Sequence, residues 1–310
     1  MGAALLTLAC LFAQAAAPPP VQPSSSNPHA AVQAAYVPVR VYDTARRAFI
    51  DFEVMLADVA KIDVALVGEQ HAHPNTHRLE AAMLQGLLRR GASVIVSIEM
   101  FERDVQPVLD AYLAGEGSED EFLATSRPWP RYVSDYRPLV EMARAHQWPV
   151  LASNVPRRLA QEVAKSGRAA LDELPEADGP LVARDLQCPQ DTYYERFVDS
   201  MSSHPVAGED TEAAHQRTAR YYWSQCLKDE TMAESIAAAI ASRDGPPGPV
   251  VHYNGAFHSD FGLGVAERVR RRLPNRRVAV ISILPVGDID AVAPADGDLK
   301  RADYLVYTVK

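Results

Sequence analysis

The sequence predicts an α/β fold in which a mostly parallel central sheet is flanked by helices. Short apolar runs alternate along the chain with longer segments of helical periodicity, and residues 157–245, between the third and fourth apolar runs, read as a helical insertion. Apolar runs without polar alternation are typical of strands buried on both faces, and the helices that join such strands cover the sheet. An insertion of this length usually caps a site, here at the carboxyl edge of the sheet.

The first half of the chain is predicted to supply three strands and three helices. The strands are 64–67, 94–98 and 149–152, each an apolar run of strand length. The helices are 79–88, 105–113 and 139–145, which carry apolar residues at helical spacing. Pro74 suits the first turn of the first helix and Gly91 suits its end, because proline lacks a backbone N–H and glycine tolerates a left-handed conformation.

The second half begins with the insertion, in which residues 193–200 and 211–241 have helical character. After it, the sequence predicts a fourth strand at 249–253, a helix at 265–273 and two last strands at 278–283 and 304–309. Six strands separated largely by helices favour a parallel sheet covered on both faces.

The N-terminal region is predicted to direct export. Its apolar run, rich in small residues, is too short to span a bilayer and contains Ala13-Gln14-Ala15, which fits a signal peptidase site after residues 1–17. Thr7-Leu8-Ala9-Cys10 gives an alternative, a lipoprotein cleavage site with Cys10 lipidated and the membrane reached only through that lipid. The protein is therefore expected in the periplasm or as an outer-membrane lipoprotein. Residues 18–38 are predicted to form a Pro/Ser-rich tether, and residues 39–310 are predicted to form a single domain.

Composition narrows the class of protein further. The chain of 310 residues is 47% hydrophobic, enough for a full core, and its net charge is −9. Nucleic-acid surfaces gain affinity from clustered Lys and Arg, so this charge argues against nucleic-acid binding. Apart from Cys10, the cysteines are Cys188 and Cys226. In an oxidising compartment they form either a disulfide or two buried thiols, because spacing alone fixes no geometry.

Polar side chains follow each of the four predicted core strands. Reading each strand to its end gives a set of six residues: Glu69, His71, Glu99, Asn154, Asn254 and His258. In open α/β sheets ligands bind beyond the carboxyl ends of the strands, where the loops leave a crevice. Single members of the set have structural explanations, but their recurrence at four strand ends predicts a ligand or active site, the carboxyl-edge crevice.

The segment GEQHAHPNTH at 68–77 places three histidines close together. His71 belongs to the strand-to-helix loop at the crevice, His73 precedes Pro74, and His77 lies in the first helical turn, where a structural role against the sheet is expected. Three histidines could bind zinc, although His-x-His alone is a weak pattern. His-x-His also opens the metal site of amidohydrolase barrels, but such barrels need eight strand–helix units and further His and Asp ligands at later strand ends. This sequence predicts about six strands, and its later strand ends carry Glu, Asn and Asn with His, so the barrel is rejected.

Several ordered motifs, spread over nearly the whole predicted domain, resemble one known family. They are GEQH at 68–71, SIEMFER at 97–103, QPVLD at 106–110, DYRPL at 135–139, LASNVPR at 151–157, DETMA at 229–233 and GAFHSDFG at 255–262. This order looks like the ChaN family of bacterial haem-binding, iron-regulated proteins, which are similar in fold to the Tiki and TraB proteins and to erythromycin esterases. The resemblance implies an exported haem-binding protein of haem and iron uptake, with an outer-membrane uptake system as a partner and a homodimer as a further expectation.

Haem requires an axial ligand for its iron, apolar faces for its ring and polar groups for its propionates. The candidate axial ligands are His71, His258, Tyr132 and Tyr136, because imidazole and phenolate both bind haem iron. Asn154 and Asn254 complete the predicted cofactor-binding set. Tyr136 also opens a predicted helix, where packing onto the sheet is the alternative role.

A metal-dependent hydrolase is the alternative function, and it uses the same crevice. Glu69, His71, Glu99 and His258 would then be catalytic, activating water to cleave an ester or amide, and His71, Glu99 and His258 would hold a divalent metal ion. No Gly-x-Ser-x-Gly nucleophile elbow occurs in the sequence, which argues against a serine hydrolase of the usual kind. A third hypothesis for the function is an exported binding module that holds a non-haem metal or a small ligand.

Overall fold

Within the described residues of a computed structural model, 36–203, 205–244 and 248–310, eight strands form one sheet. The strands are β1 (Val39–Asp43), β2 (Ala48–Ile50), β3 (Val64–Glu69), β4 (Ile95–Glu102), β5 (Val150–Asn154), β6 (Val250–Gly255), β7 (Val278–Val286) and β8 (Tyr304–Val309). Their order is β2-β1-β8-β7-β3-β6-β4-β5, and only the pairings of β1 with β2 and β8 are antiparallel. The mostly parallel sheet is confirmed.

The predicted signal peptide 1–17 with Cys10, and the tether as far as residue 35, lie outside the described residues. Residues 37–310 form one compact unit. No helix in the part of the chain that the structure describes is long and apolar enough to cross a membrane.

Eleven α-helices are present in the described ranges. They are α1 (Phe52–Val59), α2 (Pro74–Arg89), α3 (Gln106–Leu113), α4 (Glu119–Ser126), α5 (Tyr132–Asp135), α6 (Arg137–Ala145), α7 (Arg157–Ser166), α8 (Ala169–Asp172), α9 (Thr192–Ser202), α10 (Thr211–Ala241) and α11 (Val265–Arg272). Short 3₁₀ turns occur at Arg103–Val105, Glu176–Leu181, Ala256–His258, Asp260–Gly262 and Asp298–Lys300. The predicted bounds of α10 and β8 agree with the structure at both ends.

The sequence missed the two strands β1 and β2. They form a hairpin at the edge of the sheet, where β1 pairs with the C-terminal strand β8. β2 has only three residues, and two of them are exposed. A strand so short has no periodicity to detect, and its position depends on a pairing with the far end of the chain, which local pattern does not reveal.

The core lies on both faces of the sheet, and β3 shows why. Every residue of β3 is buried, and alternate side chains point to opposite faces. Ala65 and Val67 pack in the cluster that contains residues of α1, α2, α3 and α6, whereas Val64 and Leu66 pack in the cluster with residues of α10 and α11. A strand covered on both faces needs apolar residues at every position, which explains the unbroken run in the sequence.

The helical insertion has two roles. The C-terminal part of α10 supplies Met232 and Ile236 to the core on one face of the sheet. Its middle, together with α9, forms a separate apolar cluster that contains Tyr193, Phe197 and Tyr222 and extends to Phe257 beyond the end of β6. Cys188 and Cys226 form a disulfide within this region, which decides between the two states that the sequence left open. The insertion therefore covers one face of the sheet and also caps its carboxyl edge.

Candidate functional site

The ends of β3, β4 and β6 are held together by hydrogen bonds between polar groups from different strands. β6 lies between β3 and β4, so their carboxyl ends are neighbours. The backbone N–H of Gly255, at the end of β6, donates a 2.7 Å hydrogen bond to Glu99 Oε2 of β4. A Cβ on Gly68 of β3 would lie 3.0 Å from Ala256 Cα, so glycine there allows the close approach of the chain that follows β6.

His258 is buried between two carboxylates. Its Nδ1 is hydrogen-bonded to Asp229 of α10, and its Nε2 lies 3.3 Å from Glu99 Oε1. Burial alone would lower the pKa of His258, but the charges of Glu99 and Asp229 outweigh burial and raise it to about 10. Burial raises the pKa of Glu99, yet the charge and hydrogen bond of His258 hold it well below its usual range. At neutral pH His258 is therefore a buried imidazolium with both ring nitrogens engaged.

His71 differs from His258 because its ring reaches solvent. Its side chain is 44% exposed, and Nδ1 lies 2.5 Å from Glu69 Oε1, whose carboxylate also accepts a 2.7 Å hydrogen bond from the Tyr136 hydroxyl. Burial lowers the pKa of His71, but its hydrogen bond to the Glu69 carboxylate and the charge of Glu99 outweigh burial, so the pKa lies above its ordinary value. The Trp129 ring contacts His71 edge-on, with centroids 5.1 Å apart.

The His71 ring also lies directly over Gly255. A Cβ at this position would come within 2.6 Å of His71 Nε2. With Nδ1 turned towards Glu69, the Nε2 atom is the ring nitrogen left for a ligand in the carboxyl-edge crevice.

The carboxyl-edge crevice has a volume of about 510 Å³, within the range of ligand sites. Its lining includes imidazoles, aromatic or apolar groups, guanidinium groups, amides and the carboxylates of Glu69 and Asp260. Its lining residues include His71, His258, Phe197, Ala256, Phe257, Arg196 and Arg301. An adjoining cleft of about 320 Å³ is lined by Glu99, Trp129 and Asn154.

The structure separates the predicted site residues into three groups: four around the end of β6, one in the adjoining cleft and three that do not line the crevice. Glu69, His71, Glu99 and His258 come together around the end of β6, as expected. Asn154 lines the adjoining cleft and its Oδ1 accepts from the Val155 N–H.

Tyr132, Tyr136 and Asn254 do not line the crevice. The Tyr132 ring packs edge-on against Phe101 and Phe122 in the core, and burial raises its pKa so that the phenol stays protonated. Asn254 is fully buried and donates to Ser259 Oγ. Tyr136 is buried against Glu69, where burial and the carboxylate charge raise its pKa. A phenolate at either tyrosine is therefore unfavourable.

The described residues also contain a group of possible metal ligands that differs from the predicted set. The atoms that converge belong to Glu69, His77 and Glu80, all buried, and lie within 4.8 Å of one another. Among the described residues, the predicted set of His71, Glu99 and His258 does not form a group of ligand atoms this close together.

Sequence reasoning missed the site residues that come from the insertion and from the chain end. Asp229 sits in the DETMA motif, but its contact with His258 depends on the docking of α10. Gln225, one helical turn earlier, lies 3.1 Å from His258 Nδ1 and hydrogen-bonds the Tyr193 hydroxyl. Arg196 and Arg301 reach the crevice from α9 and from the segment before β8. The helical spacing of Gln225 and Asp229 was the one signal available in the sequence.

Comparison with protein families matches residues 55–269 to the family described as haem-binding uptake, Tiki superfamily, ChaN. The chain belongs to this ChaN family. No curated protein matches the sequence. Among solved structures, ChaN of Campylobacter jejuni, which binds haem cofacially, has a TM-score of 0.64 and 17% identity, covering 88% of this chain and 97% of that one. This likeness shows that the two chains share the ChaN fold.

Two more distant structures are similar to this ChaN family member. A Bacillus cereus protein has a TM-score of 0.46 and 13% identity over 82% of this chain and 90% of its own. An erythromycin esterase mutant in its open conformation has a TM-score of 0.42 and 11% identity over 88% and 83%.

Proposed function

We propose that the protein binds haem in the carboxyl-edge crevice, with His71 as the axial ligand of the iron. The observation that carries the proposal is the exposed imidazole of His71, whose Nδ1 is fixed by Glu69 and whose Nε2 lies at the crevice wall. A ligating histidine usually donates its other N–H to a carboxylate, which orients the ring and increases its basicity. Membership of the haem-binding ChaN family supports the same conclusion.

The other candidate ligands are less suitable. His258 is an imidazolium at neutral pH and has no free lone pair for iron. Tyr132 and Tyr136 are buried with raised pKa values, and the Tyr136 hydroxyl already donates to Glu69. His71 is the member of the predicted set that combines exposure with a free ring nitrogen.

The remaining crevice side chains suit the rest of the macrocycle. Phe197, Ala256 and Phe257 offer apolar surface for the ring. Arg196 stacks on Phe261, 3.7 Å from the ring centroid, and Arg301 pairs with Asp260 at 2.7 Å. No carboxylate among the described residues forms an ion pair with Arg196, so its guanidinium is free for a propionate.

Haemin titration of the purified protein tests this proposal. We expect a Soret band distinct from that of free haemin, which changes in position and weakens in affinity in His71→Ala. His146→Ala is the matched control, because His146 is also exposed but lies at the end of α6, just before β5 begins at the opposite edge of the sheet. An unchanged spectrum and affinity in His71→Ala would rule out His71 as the ligand, and no shift in the wild type would refute haem binding.

We also propose that the protein acts outside the cytoplasm in haem or iron uptake, with an outer-membrane uptake system as its partner. The disulfide between Cys188 and Cys226 supports an oxidising compartment. The apolar run at residues 3–17 supports export. Cell fractionation locates the protein, and labelling with a radioactive fatty acid tests Cys10, since a lipoprotein loses the label in Cys10→Ser.

A homodimer is proposed on the basis of cofacial haem binding by ChaN of Campylobacter jejuni. Light scattering after size-exclusion chromatography, with and without haemin, measures the mass of the particle. A monomer under both conditions would refute the dimer without affecting haem binding by one chain.

Hydrolysis stays the second candidate function, because the crevice also places a base next to a buried cation. Glu69 orients His71, and the imidazolium of His258 lies close enough for its charge to affect the pKa of His71. A general base beside a fixed positive charge is suited to activate water and stabilise an oxyanion. Ester turnover that is lost in Glu99→Ala would support this function. Wild-type protein without turnover or bound metal would exclude a metal-dependent hydrolase.

A further inference from the structure

A second cluster of ionisable side chains lies behind His71 and is closed to solvent. We name it the Glu-His-Glu cluster: Glu69 from the end of β3, and His77 and Glu80 from the first two turns of α2. The side chains of Glu69 and Glu80 are fully buried, and that of His77 is 3% exposed. His77 Nδ1 lies 3.0 Å from Glu80 Oε2 and 3.7 Å from Glu69 Oε2.

The contacts around His77 direct its Nδ1 at the two glutamates. The other ring nitrogen, Nε2, lies 3.0 Å from the backbone carbonyl of His71 and 3.3 Å from Asp135 Oδ2. A carbonyl oxygen only accepts, so Nε2 carries a proton, and a ring that carries only this proton presents a lone pair at Nδ1. Two carboxylates then face this lone pair, which is unfavourable without a positive charge or a proton between them.

The two glutamates also have unused oxygens. Glu69 Oε1 accepts from Tyr136 and contacts His71, but Glu69 Oε2 has no hydrogen-bond partner among the described residues, and neither has Glu80 Oε1. Both atoms are buried. Buried carboxylate oxygens without donors require an explanation, and a bound cation is one that satisfies both together with the His77 lone pair.

We propose that the Glu-His-Glu cluster binds a divalent transition-metal ion through Glu69 Oε2, His77 Nδ1 and a carboxylate oxygen of Glu80. One imidazole and two carboxylates form a mixed nitrogen and oxygen set, which suits Zn²⁺, Mn²⁺ or Fe²⁺ better than Mg²⁺ or Ca²⁺. The separations of 3.0 and 3.7 Å are those of ligand atoms placed around one ion at bond lengths of about 2.0–2.2 Å.

The site is separate from the haem site but shares one residue with it. Glu69 would bind the metal through Oε2 while Oε1 holds the imidazole of His71. A metal ion here would fix the position of the Glu69 carboxylate and, through it, the His71 ring. The inference goes beyond haem binding, and either activity can fail without the other.

A shared proton is the competing explanation, since a protonated Glu80 could donate to Glu69 or His77. Glu80→Gln distinguishes the two. Glutamine copies the shape and the donor of a protonated glutamic acid, so it preserves a proton-linked cluster and removes a metal ligand. Glu99→Gln is the second variant. It removes a buried carboxylate from the crevice at the same edge of the sheet, so it shows whether the metal is bound by the Glu-His-Glu cluster or by the set His71, Glu99 and His258.

The experiment uses the full chain, purified from cells grown with added Zn²⁺ or Mn²⁺ and analysed for metal by mass spectrometry. We expect about one metal ion per chain in the wild type and in Glu99→Gln, and less than about a tenth of that in Glu80→Gln, in line with the loss of one ligand. Wild type without metal overturns the inference, as does metal that is retained in Glu80→Gln or lost in Glu99→Gln.

Cobalt provides a spectroscopic readout of the ligand set, and its first part uses the wild type alone. Wild-type protein loaded with Co²⁺ is expected to show visible d–d absorption from nitrogen and oxygen ligands, with the same bands in His71→Ala, because His71 is not in the proposed ligand set. Bands that disappear in His71→Ala, or their absence from the wild type, would overturn the assignment. Haemin titration of the same samples reports separately on the haem site.

Discussion

Gly255→Ala should weaken haem binding although Gly255 is not a ligand. Its backbone has φ −56° and ψ 134°, a conformation that alanine adopts without strain. The new Cβ would lie 2.6 Å from His71 Nε2 and 2.9 Å from Cε1. The three atoms nearest to the new Cβ all belong to the His71 ring, so this ring must move to accept the substitution.

The structure sets the size of the effect. Ordinary van der Waals contact begins at 3.4 Å, so Nε2 must move by roughly 0.8 Å, and the ring cannot keep both its place over the crevice wall and its hydrogen bond to Glu69. Losing the partner that orients a ligating histidine typically lowers metal affinity about 10- to 100-fold. Folding should change little, because alanine stabilises the chain by about 0.4–1 kcal/mol at a compatible position, which offsets part of the lost hydrogen bond.

Haemin titration followed by the Soret band measures this effect, and urea unfolding measures stability on the same samples. Gly297→Ala is the matched control: its backbone is also compatible with alanine, and a Cβ there would meet nothing within 4 Å. We expect a Kd for haemin raised about 10- to 100-fold in Gly255→Ala and unchanged in Gly297→Ala. Wild-type affinity and spectrum in Gly255→Ala would refute the placement of His71 as axial ligand.

Three further predictions concern pH, a buried charge and the disulfide. Haemin affinity should fall as the pH drops through the raised pKa of His71, because iron needs the unprotonated ring. Glu69→Gln should move the midpoint of this fall to lower pH. Haemin titrations from pH 5 to 9 measure the midpoint, and a midpoint that does not move contradicts the prediction. His258→Gln should lower the free energy of unfolding by about 3–5 kcal/mol, since two buried carboxylates lose their cation. Because folding raises the pKa of His258 to about 10, its stabilising contribution is complete below about pH 6.5 and is lost as the pH rises through about 10. Urea unfolding across this window measures the free energy of unfolding at each pH. A free energy that does not change with pH contradicts the prediction. Reducing Cys188–Cys226, which are 38 residues apart, should cost about 2–4 kcal/mol of stability, measured as a lower urea midpoint with reductant, and equal midpoints would show that the bond contributes nothing.

The two histidines of the crevice illustrate how one site assigns different roles to the same residue type. Asp229 and Glu99 enclose His258 and keep it charged, whereas His71 has one carboxylate partner and an open side. A charged, buried imidazole stabilises negative charge nearby, and an exposed one is available to bind iron or a proton. Both haem binding and hydrolysis would rely on this division.

Much of the fold was readable from the sequence because the relevant signals are local. The bounds of β8 and α10 were predicted correctly, since an apolar strand between polar turns and a long helical pattern each depend on neighbouring residues. The carboxyl-edge position of Glu69, Glu99 and His258 followed from reading parallel strands to their ends. The hairpin β1–β2 was missed, because it is held by a pairing across the length of the chain.

The sequence by itself determined the fold class, the edge at which polar groups gather and the resemblance to the ChaN family. Only the tertiary structure decided which of those groups is free to act. Tyr132 turned into the core, and His258 was enclosed by Asp229 from a distant helix. The physical reason is that the proton affinity and accessibility of a side chain depend on burial and on charges within a few ångströms, and these neighbours come from segments far apart in the chain.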